Sequence, residues 1–206
     1  MNIKAIIFDY GQVLTFPQSV KSINSMIGLL NSNENHFNKA YYEHRDLYDS
    51  GKINGPEYWQ LIIKSLALEI NDQETINTLV NHDLESWFEQ NQEMWDLVLK
   101  LRKNYKTALL SNNIHELVEK IEKELDLNKY FDTIVFSNRL DFIKPDPRIY
   151  QYCLDLMQIN PEEAIFIDDK QINVDAANKL GIHGVTFTSY DQLINDLEKM
   201  NIVTTD

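Results

Sequence analysis

The stretch Ile6-Ile7-Phe8-Asp9-Tyr10-Gly11-Gln12-Val13-Leu14 decides how this chain is read. An apolar run stops abruptly at a carboxylate, as a buried strand does where it reaches the edge of a sheet. Two more segments repeat the pattern downstream. Ala108-Leu109-Leu110 ends at Ser111-Asn112-Asn113, and Ala164-Ile165-Phe166-Ile167 ends at the pair Asp168-Asp169. A fourth segment, Phe142 to Tyr150, places a lone Lys144 before Pro145. In open parallel α/β sheets, ligands bind outside the carboxyl ends of the strands, so polar residues gathered there form a site. A nucleophilic carboxylate, a hydroxyl, a fixed cation and paired carboxylates suit phosphoryl transfer.

Working outward, five segments read as strands: Ile3–Phe8, Thr107–Leu110, Thr133–Phe136, Ala164–Ile167 and Gly184–Phe187. They are Ile-, Val-, Leu- and Phe-rich with little alternation, as expected when both faces are covered. Helix-period stripes separate the later strands: Met94, Leu97, Val98 and Leu101; Leu117, Val118, Ile121 and Leu125; Ile149, Cys153, Leu154 and Met157. Val174, Ala177 and Leu180 end at Gly181, a suitable residue just past a helix. Such alternation implies parallel βαβ units.

Residues 16–90 carry helical patterns without a convincing strand. Val20, Ile23, Ile27 and Leu30 make one face, and Phe37, Ala40, Tyr41, His44 and Tyr48 another, before a break at Asp49-Ser50-Gly51. Trp59, Ile62, Ile63 and Leu66 follow, and a capping pattern at Asn71…Glu74 precedes Ile76, Leu79, Val80, Trp87 and Phe88. The expected division is a core of residues 1–15 and 91–206 with a helical cap of residues 16–90 inserted after the first strand.

With 206 residues, 43% hydrophobic and 25% charged, the chain can bury an ordinary globular core. Its net charge of −13 argues against nucleic-acid or anionic-membrane partners, which require clustered Lys and Arg. An anionic substrate then needs local positive charge, from Lys144 and a bound metal. The single Cys153 reads as a core thiol, and the five His residues, none in a metal-spaced pair, as structural or exposed. The N-terminus lacks a signal-peptide h-region, and no apolar run approaches membrane-spanning length, so a cytoplasmic location is expected.

Together these four segments resemble the motifs of the haloacid dehalogenase-like hydrolase superfamily, in its helical-cap subgroup. Asp9-Tyr10-Gly11-Gln12-Val13 matches the first motif, Ser111 the second, Lys144-Pro145 the third and Asp168-Asp169 the fourth, with Asn173 where Asp or Asn is common. The resemblance implies an α/β, Rossmann-like parallel sheet of five strands with helices on both faces and an inserted helical cap. It implies Asp9 as nucleophile and Mg²⁺ as cofactor, held by Asp9, the carbonyl of Gly11 and Asp169, with Asp168 assisting. Ser111 and the backbone of Asn112 would hold the phosphoryl group, and Lys144 would bridge it to the nucleophile. The first motif departs from the family at Gly11, where a second Asp usually serves as general acid and base. That variant is similar to glucose-1-phosphate phosphatase-type members that hydrolyse sugar phosphates.

Each assignment has a plainer alternative. A strand-end Asp can cap a turn, Asp168-Asp169 can cap a helix before Ile172, and Ser111-Asn112-Asn113 is a good N-cap sequence. A Lys before Pro is usually a solvated loop residue. Tyr41, His44 and Arg45 are candidates for gripping the rest of a substrate, with ordinary packing as the alternative. The favoured reading is a Mg²⁺-dependent phosphatase of a small phosphorylated metabolite, a sugar phosphate for preference, acting through an aspartyl-phosphate. The other readings are a phospholigand-binding or interaction module weakened by Gly11, and a metal-independent 2-haloacid dehalogenase. Oligomeric state and the particular substrate are not encoded in these motifs.

Overall fold

The structure, a computed structural model, describes residues 2–202. Strands β1 (Ala5–Phe8), β2 (Lys106–Ser111), β3 (Thr133–Phe136), β4 (Ala164–Asp168) and β5 (His183–Thr186) form one sheet in the order β3-β2-β1-β4-β5. Every neighbouring pair is parallel. The expected strands are therefore present, shifted by one or two residues at their ends.

Alternation of side chains in β1 divides the core in two. Ile6 and Phe8 face a cluster that includes Met94, Leu97 and Leu101 of helix α6 (Gln92–Leu101). The same cluster takes Leu117 and Ile121 of α7 (His115–Glu124) and Leu193 and Leu197 of α10 (Tyr190–Lys199). Ala5 and Ile7 face the other side, where Ile149, Cys153 and Leu154 of α8 (Pro147–Met157) pack with Ala177 of α9 (Gln171–Lys179). Helices thus cover both faces, which is why the central strand β1 is apolar throughout. Cys153 is a buried free thiol, and burial pushes its pKa up to about 12.

Six helices lie between β1 and β2, and five of them precede α6: α1 (Val20–Leu29), α2 (Glu34–Glu43), α3 (Arg45–Asp49), α4 (Gly55–Ser65) and α5 (Gln73–Ser86). The chain leaves and re-enters the sheet layer at one point, an isolated antiparallel bridge between Thr15 and Gln90. Phe37, Tyr41, Tyr48, Tyr58 and Trp59 are buried among these helices. Tyr48 and Tyr58 stack with ring centroids 4.4 Å apart, and Phe37 stacks on Tyr41 at 5.4 Å.

Three local expectations change. Val20 opens α1 but is 69% exposed, and Ser22 and Met26 are the buried residues of that helix. The face is rotated because α1 packs chiefly against α5. Asp72, not Asn71, caps α5, its side chain accepting from the Thr75 amide. A break at His44 separates α2 from α3, which leaves His44 beside Ser65 at 3.4 Å rather than on the buried face. Among the described residues no helix is long and apolar enough to cross a membrane.

Phe166, fully buried in β4 and set edge-on to Tyr150 at 5.3 Å, is a test of this core. Phe166→Ala should cost about 3–5 kcal/mol in urea unfolding. Ile172→Ala, at a position 63% exposed, should stay within about 0.5 kcal/mol.

Candidate active site

The carboxyl ends of β1, β2 and β4 meet at one edge because all three strands run the same way. Asp9 follows β1, Ser111 ends β2 and Asp168 ends β4. Lys144 arrives from the loop before α8, and its side chain is only 1% exposed. Its Nζ lies 2.8 Å from Asp9 Oδ1 and 2.6 Å from Asp168 Oδ2. The backbone at Lys144 is fixed by Asn112, whose Oδ1 accepts from the Lys144 amide at 2.8 Å. Asn112 Nδ2 donates in return to the Lys144 carbonyl at 2.9 Å.

Three donors converge on the same oxygen of Asp9. The Tyr10 amide donates to Oδ1 at 2.7 Å, the Ser111 hydroxyl at 2.6 Å and Lys144 Nζ lies at 2.8 Å. These contacts leave the other oxygen, Oδ2, facing no donor among them. Burial raises the pKa of Asp9, against the lowering effect of Lys144. Burial likewise opposes the charge on Lys144, but Asp168 and Asp9 outweigh it and raise its pKa. The two groups stand at ion-pair distance inside the protein, where charge interactions are stronger than in water.

Asp168 is fully buried and fully engaged. Its Oδ1 accepts from the Lys170 amide at 2.8 Å and from Asn173 Nδ2 at 2.9 Å. Asn173 is thus a side chain that orients Asp168. Asp169 is half-buried and accepts from Gln12 Nε2 at 2.7 Å. Burial, then the charges of Asp9 and Asp168, push the Asp169 carboxyl up to about 7. Ligand atoms from Asp9, Asp168 and Asp169 all lie within 4.8 Å of one another. Three hard oxygen donors at that spacing fit a small divalent cation, which would relieve their mutual repulsion.

The geometry bears on three of the plainer alternatives. Ser111 is not an N-cap: α7 begins at His115 with Ile114 before it, and the Ser111 hydroxyl goes to Asp9. The α9 N-cap position is Lys170, without a side-chain cap bond. Lys144 is buried rather than solvated.

A cavity of about 310 Å³ opens above these groups, lined from the sheet side by Asp9, Gly11, Gln12, Ser111, Asn112, Lys144 and Asp169. From the inserted helices it is lined by Tyr42, Arg45, Asp46, Asp49 and Trp87. Of the three residues considered for substrate contact, Arg45 lines the cavity. Tyr41 is buried behind it, and His44 is not on the wall.

Gly11 is not demanded by its backbone, whose φ lies outside the left-handed region. A Cβ there would meet Trp87 at 3.9 Å, an ordinary contact. The departure at residue 11 thus leaves room that the Trp87 ring borders. Among the cavity residues that escaped the sequence reading are Gln12, Asp49 and Trp87. Gln12 has a positive φ of 59°, which no pattern announces, and the other two depend on how distant helices dock.

The profile of the haloacid dehalogenase-like hydrolase family matches residues 22–187, and the chain belongs to that family. It is 26% identical over 189 residues to a D-ribitol-5-phosphate phosphatase of Bacteroides thetaiotaomicron, covering 87% of this chain and 89% of that protein. A 39% identity to acyl-CoA dehydrogenase family member 10 of Mus musculus covers 48% of this chain but only 9% of that much longer protein. A haloacid dehalogenase family enzyme of B. thetaiotaomicron superposes with a TM-score of 0.78 at 23% identity, covering 94% of this chain and 99% of that one. Its complex with magnesium and inorganic phosphate superposes at 0.71 and 23% identity, covering 93% and 98%.

Removing Lys144 leaves two buried carboxylates without a counter-charge. Lys144→Met should therefore destabilise the cation-free protein by about 3–5 kcal/mol in urea unfolding. Adding Asp168→Asn should recover part of the loss. Gly11→Ala should fold normally, with stability changed by less than about 1 kcal/mol.

Proposed function

We propose that this hydrolase is a Mg²⁺-dependent phosphatase of a small phosphorylated metabolite, and that residues 16–90 serve as its cap. The observation that carries the reading is the trio Asp9, Asp168 and Asp169 around a buried lysine. A dehalogenase using one carboxylate on carbon has no need of two more beside it. The sequence relative that acts on D-ribitol 5-phosphate supports the same substrate class.

In this reading Asp9 Oδ2 attacks phosphorus in line with the leaving oxygen. The new Asp9–phosphorus bond forms as the ester P–O bond breaks, giving an aspartyl-phosphate and an alkoxide that takes up a proton. Water then attacks the same phosphorus and releases a proton to solvent, matching the one the alkoxide took from solvent. The Asp9–phosphorus bond breaks, and phosphate and a free carboxylate result. Ser111, already hydrogen-bonded to Asp9, presents its hydroxyl beside the transferring group. Lys144 holds Asp9 in place and offsets repulsion between two anions as they meet. Asp9, Asp169 and the Gly11 carbonyl would hold Mg²⁺, with Asp168 behind them, and the bound ion supplies charge stabilisation of the phosphoryl oxygens.

No side chain at residue 11 can protonate the leaving oxygen. Such assistance is worth roughly 10²–10⁴-fold. The missing contribution falls most heavily on alkyl phosphates, whose alkoxides are poor leaving groups. Phosphoryl transfer otherwise relies on positioning and charge stabilisation, which the remaining groups provide.

A screen of sugar, polyol and aryl phosphates with and without Mg²⁺ tests the reading; it expects turnover only with the ion. Asp9→Asn should abolish that turnover while preserving the circular dichroism spectrum and melting transition. Near-normal activity in this variant would mean that another residue is the nucleophile.

Gly11→Asp, for which the Trp87 side leaves room, should raise kcat/KM more for alkyl phosphates than for p-nitrophenyl phosphate. Equal changes on both, in a folded and Mg²⁺-binding variant, would remove residue 11 as the acid–base position.

A further inference from the structure

The cavity has two walls of different electrostatic character. On the sheet side, Lys144 and Lys170 stand among Asp9, Asp168 and Asp169. A divalent cation there turns that end positive and suited to one phosphate. On the helical side, Arg45 is the cation, and it is already spoken for. Its Nε donates to Asp49 Oδ1 at 2.8 Å, its Nη1 to the Tyr41 hydroxyl at 2.7 Å, and Nη1 lies 3.7 Å from Asp83 Oδ2. The guanidinium sits between the rings of Tyr41, Tyr48, Tyr58 and Trp87, 5.4–5.8 Å from their centroids. Arg45 therefore divides its charge between Asp49 on the wall and Asp83 behind it, and the carboxylates outnumber it.

Asp46 and Asp49 line the same cavity, so this wall carries an excess of negative charge. Asp49 is held from two directions. One carboxylate oxygen is taken by Arg45, and its backbone carbonyl accepts from the Ser137 hydroxyl at 2.5 Å. Ser137 Oγ also accepts from the Asn113 amide at 3.0 Å, two residues beyond Ser111. Asp49 is thus fixed to the segment that supports the phosphoryl end, with its second carboxylate oxygen left for a hydroxyl donor. A cavity of about 310 Å³ matches the small end of ligand sites.

We propose that Asp49, aided by Asp46, is the specificity-determining residue of this site. It accepts hydroxyl groups of a polyhydroxylated monophosphate and rejects a molecule bearing a second anionic group at its far end. This inference rests on the phosphatase reading and narrows it to neutral-tailed polyol and sugar monophosphates, against bisphosphates and phosphorylated sugar acids. A like charge desolvated against a carboxylate is strongly penalised, so discrimination of about tenfold or more is expected.

The matched probes are glucitol 6-phosphate and 6-phosphogluconate, identical in carbon number, which differ at the far end as CH₂OH against carboxylate. The wild-type chain with Mg²⁺ should favour the polyol by about tenfold or more in kcat/KM. Asp49→Asn, which keeps the shape but removes the charge and frees Arg45, should narrow the ratio to within about threefold. The change should come from a higher KM for the polyol and a lower KM for the acid. Asp46→Asn should narrow it less, and supplies the test if Asp49→Asn fails to fold.

Equal kcat/KM values for the two probes in the wild type would overturn the proposal. So would Asp49→Asn lowering both by the same factor. Turnover of p-nitrophenyl phosphate separately reports on the phosphatase reading. If that turnover is absent, calorimetric Kd values for the same probes with Mg²⁺ decide the specificity claim, and equal affinities reject it.

Discussion

One buried cation organises the site. Lys144 lies between Asp9 and Asp168, with 2.8 Å and 2.6 Å contacts, buried at the floor of the cavity. Burying carboxylates alone costs several kcal/mol each, and the lysine is what makes their burial tolerable. Everything around it is arranged to keep that geometry. Asn112 clamps the Lys144 backbone, Asn173 and the Lys170 amide hold Asp168, and Ser111 and the Tyr10 amide hold Asp9. The parallel sheet supplies the registration, because strand ends that share a direction place their terminal residues side by side.

The same solution appears a second time, in the inserted helices. Arg45 is buried among aromatic faces and balanced by Asp49, with Asp83 behind, much as Lys144 is balanced over the Phe166 ring. The raised pKa values of Asp49 and Asp83 share one cause, burial, countered by the arginine. One cluster sits beneath the cavity and the other above it. Ser137 joins them by accepting from Asn113 and donating to the Asp49 carbonyl. The two walls are therefore fixed relative to each other by a hydroxyl that neither motif nor periodicity identifies.

The parts of the fold that were legible in advance are those set by local pattern. The five apolar runs became five strands because nothing but a doubly covered sheet buries them, and the stripe from Met94 to Leu101 became one helix face. The less legible parts depended on packing. Val20 belongs to an apolar repeat yet faces solvent, since the docking of α1 on α5 chose a rotated face. Ser111-Asn112-Asn113 has the composition of a helix cap, but its hydroxyl was claimed by Asp9, a residue 102 positions away. His44 looked like part of a buried face, but the chain breaks there between two helices.

By itself the sequence determined the alternation of strands and helices, the helical character of residues 16–90, and which side chains stand at strand ends. Those follow from periodicity and from the abrupt change of apolar to polar residues, both local properties. Only the tertiary structure decided that Gly11 faces Trp87 with room to spare, that Gln12 reaches Asp169, and that Asp49 overlooks the cavity from the far wall. Each of these is a meeting of residues from separate elements. Their distances depend on how helices dock against a sheet, and no short stretch of chain carries that information.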